Sequence, residues 1–158
     1  MKLVPLTKGF FAIVDDEDFE WLSRYRWCVN LSNAPRAYRP YLSDEKHGVI
    51  YMHREIIRAR ACEIVDHING NSLDNRKQNL RIATAQQNAW NSKMRKNRHG
   101  FKGVQFRDDL KKKPWKAAIT VNRRSKNLGY FATKELAAKA YNEAAIKYFG
   151  KFARLNEV

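Results

Sequence analysis

Cysteine is nearly absent from this 158-residue chain, which has only Cys28 and Cys62. Two cysteines exclude a disulfide scaffold and any multi-cysteine zinc cage. No run of 18 apolar residues occurs, so no membrane span fits, and the start Met1-Lys2-Leu3-Val4-Pro5 lacks the apolar stretch of a secretory signal. Tandem repeats and low-complexity tracts are absent too. Acidic side chains are few, 16 against 31 basic ones, giving a net charge of +15 and a pI near 10.0. Yet 44% of residues are hydrophobic and 12% aromatic, too much core-forming material for a disordered polycation. These exclusions leave a folded cytoplasmic protein, one domain or two small ones, with a polyanionic partner. Nucleic acid is the first candidate.

The positive charge is concentrated. Residues 93–126 hold thirteen basic and two acidic side chains, whereas residues 1–52 hold seven of each. A solubilising surface would spread its charge, so this stretch reads as a phosphate-binding region. It begins with Lys93, Arg95, Lys96 and Arg98 in a basic linker, residues 93–100. From 101 to 126, aromatic and β-branched residues interleave with the charge, as in a folded surface.

Hydrophobic patterning organises the chain. Residues 10–14 are strand-like, and Asp15-Asp16-Glu17-Asp18 supplies a cap and negative charge for a helix carrying Phe19, Trp21 or Leu22, and Tyr25 at helical spacing. Strands are predicted over 27–31, 36–41 and 49–52, with a short helix over 53–59. This first part reads as a scaffold without chemistry of its own, open to accessory DNA contacts. A strand over 64–68, a loop rich in Asn, Gly and Asp, a strand over 80–83 and a helix from about 85 to 90, capped by Thr84, then form a compact unit. Further on, strands over 103–107, 115–121 and 126–131 precede a helix capped by Thr133 and stopped by Gly150. Parity on the middle strand sends Trp115, Ala117, Ile119 and Val121 to one face and Lys116, Ala118, Thr120 and Asn122 to the other. The helix stripe Ala137, Ala140, Tyr141, Ala144, Ala145 and Tyr148 covers the first face, leaving the second open, polar and basic. The fold class is α+β.

The sharpest chemical feature is Asp66-His67 at a strand edge, with Asn79 and Asn88 downstream. Phosphodiester hydrolysis needs a base to take a proton from water and a cation to neutralise charge on the phosphate and leaving oxygen. A hard divalent ion takes few oxygen ligands from protein and keeps several waters. Asp66 offers a carboxylate and Asn88 a carbonyl. Taken alone, an Asp-His pair before an Asn-Gly turn is more often structural, and the asparagines also suit the backbone groups of a polar loop.

The run Val65-Asp66-His67-Ile68-Asn69-Gly70-Asn71, then Asp74-Asn75-Arg76, Asn79-Leu80-Arg81 and Gln87-Asn88, resembles the HNH nuclease motif. It is most similar to that of phage and intron-encoded homing endonucleases. The upstream Tyr51–Ile56 segment and Val14–Asp18 with Trp27 also resemble that group. The resemblance implies a ββα-metal unit in which His67 is the general base, Asp66 and Asn88 are metal ligands and Asn79 steadies the loop. It implies Mg²⁺ or Mn²⁺ as cofactor. The cysteine pairs of zinc-stabilised relatives are missing, so no structural zinc is expected. Asn88 stands where the broader HNH pattern has histidine, and a neutral amide makes a weaker metal site.

Residues 101–156 resemble the ethylene-response-factor (Apetala-type) DNA-binding domain. The carrying residues are Gly103-Val104, Arg107, Trp115–Ile119, Leu128–Phe131, Ala137–Tyr141, Ala144-Ala145, Gly150, Ala153 and Asn156. The resemblance implies a three-stranded sheet that enters the major groove with one helix behind it. DNA contacts then fall to Lys102, Gln105, Arg107, Lys116, Thr120, Lys126 and Asn127. Arg123 and Arg124 in the preceding loop are added on charge. Gln105, Ala118, Thr120 and Asn127 depart from the plant members, so their target sequence does not transfer.

The expected organisation is a nuclease domain over 1–92 (scaffold 1–60, ββα-metal unit 64–92), a linker over 93–100 and a DNA reader over 101–158. The expected activity is metal-dependent cleavage of double-stranded DNA by a monomer on DNA or a homodimer, in the cytoplasm of a bacterial or phage-infected cell. The rival reading is a catalytically inactive DNA-binding regulator.

Overall fold

The computed structural model describes residues 1–31, 34–40, 48–92 and 99–158. It divides into two units, Met1–Asn88 and Ala89–Val158.

In the first unit, alternation of buried and exposed side chains makes a hairpin of β1 (Lys2–Pro5) and β2 (Phe11–Val14), with Val4, Ala12 and Val14 turned inward. Strand β1 is an addition to the sequence reading, whose first strand was 10–14. Helix α1 (Asp16–Leu22) follows, with Asp16, Glu17 and Asp18 in its first turn. Asp15 occupies the capping position, but its side chain makes no cap bond. Its Oδ2 instead accepts from the Lys77 backbone N–H at 2.8 Å. The expected cap thus serves a tertiary tie. Trp27 is buried against this helix, its indole N–H donating to the Leu22 carbonyl at 2.9 Å.

Strands β3 (Cys28–Asn30), β4 (Arg36–Pro40) and β5 (Val49–Tyr51) form an antiparallel sheet in that order. Helix α2 (Met52–Ile56) starts one residue earlier than expected and ends sooner. Arg58 adopts a left-handed φ of 51°, and the Ala59 N–H returns to the Arg54 carbonyl, which terminates the helix. Strands β6 (Ile64–His67) and β7 (Leu80–Ala83) pair antiparallel, and α3 (Ala85–Asn91) follows. One core of Val4, Val14, Leu22, Trp27, Val29, Met52, Ile56 and Leu80 joins these pieces.

The second unit is a sheet in the order β10-β9-β8, from β8 (Val104–Phe106), β9 (Trp115–Val121) and β10 (Arg124–Phe131), with α4 (Lys134–Phe149) packed on it. Thr133 caps α4 by accepting from the Leu136 N–H, and Gly150 ends it at φ 52°. The buried stripe is Ala137, Ala138, Tyr141, Ala144, Ala145 and Phe149. Ala138 and Phe149 displace the expected Ala140 and Tyr148 from its centre. Asn122 and Arg123, both at positive φ, connect β9 to β10 in a two-residue turn. Glycine is the usual second residue there, and an arginine costs about 1 kcal/mol.

Register shifts between Asn127 and Gly129, so Leu128 is a bulge. Leu128 packs against both core clusters of this unit. The shift also sends Asn127, opposite Ala118, and Tyr130, opposite Lys116, to the same open face.

Gly103, at φ +76°, brings the backbone against α4. A Cβ there would lie 2.1 Å from the Tyr141 ring and 2.7 Å from the Ala118 carbonyl oxygen. Gly103→Ala is therefore expected to destabilise this unit by about 3 kcal/mol, combining left-handed strain with overpacking. A thermal midpoint within about 2 °C of the parent would contradict this close approach.

Candidate active site and nucleic-acid interface

Strand β6 ends in two buried residues pointing to opposite faces, Asp66 and His67. Asp66 lies opposite Arg81 on β7, and the guanidinium donates to its Oδ2 through Nε at 2.8 Å and Nη2 at 2.6 Å. His67 Nε2 lies 3.0 Å from Asn75 Oδ1, while the Asn75 amide N–H donates to Met52 Sδ at 3.4 Å. That second bond fixes which end of the Asn75 amide faces the imidazole. An oxygen at 3.0 Å requires the proton on Nε2, which leaves the lone pair on Nδ1. Asn75 is fully buried.

The loop between β6 and β7 is held from three sides. Asn79 Oδ1 accepts from the Asn69 N–H at 2.9 Å, its Nδ2 donates to the Asp74 carbonyl at 2.7 Å, and its backbone carbonyl accepts from Ile68. The Arg76 guanidinium grips Asp74 through two bonds and holds that carboxyl below the usual carboxylate range. From the scaffold, Ile13 bonds both Leu73 and Asn75 through its backbone, and Ser72 Oγ donates to the Pro35 carbonyl at 2.5 Å. The N-terminal strands therefore set the position of Asn75, and through it the tautomer of His67. Asn79→Ala removes both side-chain bonds that tie the loop, one of them to the buried Asp74 carbonyl. Its expected cost is about 2 kcal/mol, measured as a lower denaturant midpoint.

Electrostatics keep the imidazoles neutral. Burial pushes His67 below the ordinary histidine value, Arg36 adds to the lowering, and the Asn75 bond and the Asp66 and Asp74 charges oppose it. His53 stacks on Tyr51 at 5.7 Å and meets His67 edge-on at 5.2 Å. Burial, His67, Arg36 and Arg54 together take it down to about 3.

Of the residues expected to act in catalysis or metal binding, His67 and Asn79 both reach the β6–β7 loop, through Asn75 and through Asn69 and Asp74, while Asp66 stands beside His67 on β6 and bonds Arg81. Asn88 lies on α3 with its side chain exposed and no hydrogen bond to the other three among the described residues. Asn75 was missed as a functional residue, although it stands within the quoted motif. An asparagine in a polar loop carries no signal that separates it from a turn residue, and only its burial does so. No group of three His, Cys, Asp or Glu among the described residues could hold a metal. The donors on offer, a carboxylate and an amide oxygen, fit a hard cation that keeps most of its shell as water.

In the second unit Gln105, Lys116 and Tyr130 form one cross-strand row of the open face, with Ala118 beside Asn127 and Thr120 beside Ser125. Two assignments to this face are corrected. The register set by the two-residue turn places Lys126 opposite Ile119 on the helix side, where its ammonium sits 4.7 Å over the Tyr148 ring. Lys102 precedes β8, and its half-buried ammonium donates to the Trp90 and Ser92 carbonyls. Arg107 lies just past β8, paired with Asp109, and Arg123 and Arg124 are exposed at the hairpin turn. Trp115 is half-buried against the Val104–Ala117 core and meets Phe106 edge-on. Lys93, Arg95, Lys96 and Arg98 lie outside the described residues. No helix among the described residues is long and apolar enough to cross a membrane.

Comparison with known proteins adds independent findings. A family model described as HNH endonuclease matches residues 61–90. The chain is 31% identical over 157 residues to "Uncharacterized HNH endonuclease L560" of Acanthamoeba polyphaga mimivirus, covering 96% of this chain and 77% of that protein. It is 32% identical over 91 residues to "Protein 3.8" of Escherichia phage T7, covering 57% of this chain and 73% of that protein. No solved structure matches the chain.

Proposed function

The chain belongs to the HNH endonuclease family, and from that premise we propose that it is a homing-type DNA endonuclease whose general base is Nδ1 of His67. The observation that carries this reading is the 3.0 Å contact between His67 Nε2 and the buried Asn75 Oδ1. It commits the proton to Nε2 and leaves the basic lone pair of the neutral ring on Nδ1. Burial supports the same state, because a lowered pKa keeps the ring unprotonated at neutral pH.

In the proposed reaction the His67 Nδ1 takes a proton from water as the oxygen attacks the phosphorus and the bond to the 3′ oxygen breaks. Asn79 and Asn75 hold the loop and ring in place during that step. HNH nucleases depend on a divalent metal. In this chain Asp66 and Asn88 would hold Mg²⁺ or Mn²⁺, which supplies charge neutralisation at the phosphate and leaving oxygen. Such an ion would share the Asp66 carboxylate with Arg81.

The second unit is read as an ethylene-response-factor-type DNA reader. Its three antiparallel strands, single helix and polar open face support that reading. Gln105, Lys116, Thr120 and Asn127 would contact base edges, with Arg123, Arg124 and the 93–98 basic residues on phosphates. The work is placed in the cytoplasm of a bacterial or virus-infected cell, on double-stranded DNA, by a monomer or homodimer. The phage and mimivirus relatives support that setting.

Incubation with supercoiled plasmid carrying candidate target DNA tests the activity. Relaxed or linear product is expected with Mg²⁺ or Mn²⁺ and none with EDTA. Cleavage indifferent to EDTA would overturn the metal-dependent reading.

A further inference from the structure

We propose that Arg36, on the N-terminal scaffold and outside the HNH motif, is a phosphate-binding residue of the same site, seated beside Tyr38 and Tyr51. The inference rests on the nuclease reading above for its role in cleavage, but not for the binding of phosphate.

The argument starts from strand parity. On β4, Ala37 turns into the core, so Arg36 and Tyr38 share the opposite face. Tyr38 lies opposite Tyr51 on β5, Tyr51 stacks on His53, and His53 meets His67 edge-on. Cross-strand pairing and two ring contacts therefore lead from Arg36's face of the sheet to the imidazole of His67. The second link is the loop. Pro35, next to Arg36, accepts from Ser72 in the loop that carries Asn75, which ties the start of β4 to the segment orienting His67. The charge of Arg36 is felt at both imidazoles, in keeping with this placement.

Arg36 is exposed, and no carboxylate pairs with it among the described residues. The other arginines near the site are committed. Arg39 bonds Glu55, Arg54 donates to the Glu63 and Arg60 carbonyls, Arg76 grips Asp74 and Arg81 grips Asp66. A guanidinium left exposed on the His67 side offers a planar donor fork for phosphate oxygens. It would add positive charge where negative charge develops as water attacks.

Two measurements test this, each using the full chain. The first is titration with inorganic phosphate, following the Arg36 Nε–H resonance (assigned by its loss in R36A) and the ring signals of Tyr38 and Tyr51. A saturable shift of all three, absent from the Tyr signals of R36A, is expected. Shifts no larger than those of the other arginines would overturn the proposal, whether or not the protein cleaves DNA. The second is plasmid cleavage by R36A and R36K at unchanged thermal midpoint. R36A is expected to lower kcat about 100-fold with DNA affinity within about threefold, and R36K to recover part of the rate. R36A cleaving within twofold of the parent would refute the role in catalysis while the phosphate titration still decides the binding site.

Discussion

Replacing His67 by alanine is expected to lower the rate of DNA cleavage by about 1,000-fold while leaving DNA affinity within about twofold. A positioned general base contributes roughly 10²–10⁴-fold, and the side chain belongs to the first unit, whereas the β8–β10 sheet belongs to the second. The rate should be read under single-turnover conditions with Mg²⁺, and affinity by fluorescence anisotropy in EDTA. Asn75→Ala provides the companion result. It retains the imidazole but removes the acceptor at 3.0 Å that commits the proton to Nε2. Its expected loss is smaller, about 10- to 100-fold. The pH dependence has a definite sign. The base works only when neutral and its pKa is lowered, so cleavage persists below the ordinary histidine value and declines only at more acid pH. Undiminished cleavage by His67→Ala would reject the assignment of the base.

Acid is expected to destabilise the first unit steeply, and His53 is the chief cause. Its value of 6.5 in the unfolded chain falls to about 3 in the fold, through burial first and then the charges of His67, Arg36 and Arg54. Above pH 6.5 neither state binds the proton, and this group contributes nothing. Below it the unfolded chain takes up a proton that the folded chain refuses until about pH 3. Stability is therefore lost as pH falls through that window, by up to about 1.4 kcal/mol per pH unit. Between pH 6.5 and 4.5 the loss from this one group is about 2.5 kcal/mol, a large share of a small domain's stability. His67, lowered in the same direction, adds to it. Urea midpoints at the two pH values measure the effect. His53→Phe keeps a ring against Tyr51 and His67 but binds no proton, and should flatten the dependence. An equally steep slope in that variant would remove His53 as the cause.

Much of this was legible in the residues themselves. Alternation on β9 assigned Ala117 and Ile119 to the core and Thr120 to the open face, because a strand's period of two leaves no freedom once one face is buried. Thr133 and Gly150 marked the ends of α4, since a side-chain acceptor at the start and a positive φ at the end are local requirements. The Asp66-His67 pair and Asn79 were recognisable as a motif, and the structure sets the first two at the end of β6 and bonds Asn79 into the loop that follows.

What stayed hidden depends on contacts far apart in sequence. Asp15 looked like a helix cap until Lys77, 62 residues on, claimed its carboxylate. Lys126 looked like part of the open face until the two-residue turn paired it with Ile119, and Tyr130 joined that face only through the bulge at Leu128, because an inserted residue is decided by which side chain fills the core. Lys102 looked like a DNA contact of the first strand until two backbone carbonyls received its ammonium.

By itself, the sequence determined the family chemistry and the strand and helix faces, since these follow from residue type and short-range period. The tertiary structure alone decided the working state of the site. The tautomer of His67, the burial that keeps it and His53 neutral, and the exposure of Arg36 beside them arise only when the scaffold strands and the β6–β7 loop are packed together. Burial and hydrogen-bond partnership are properties of that packing and of no single residue.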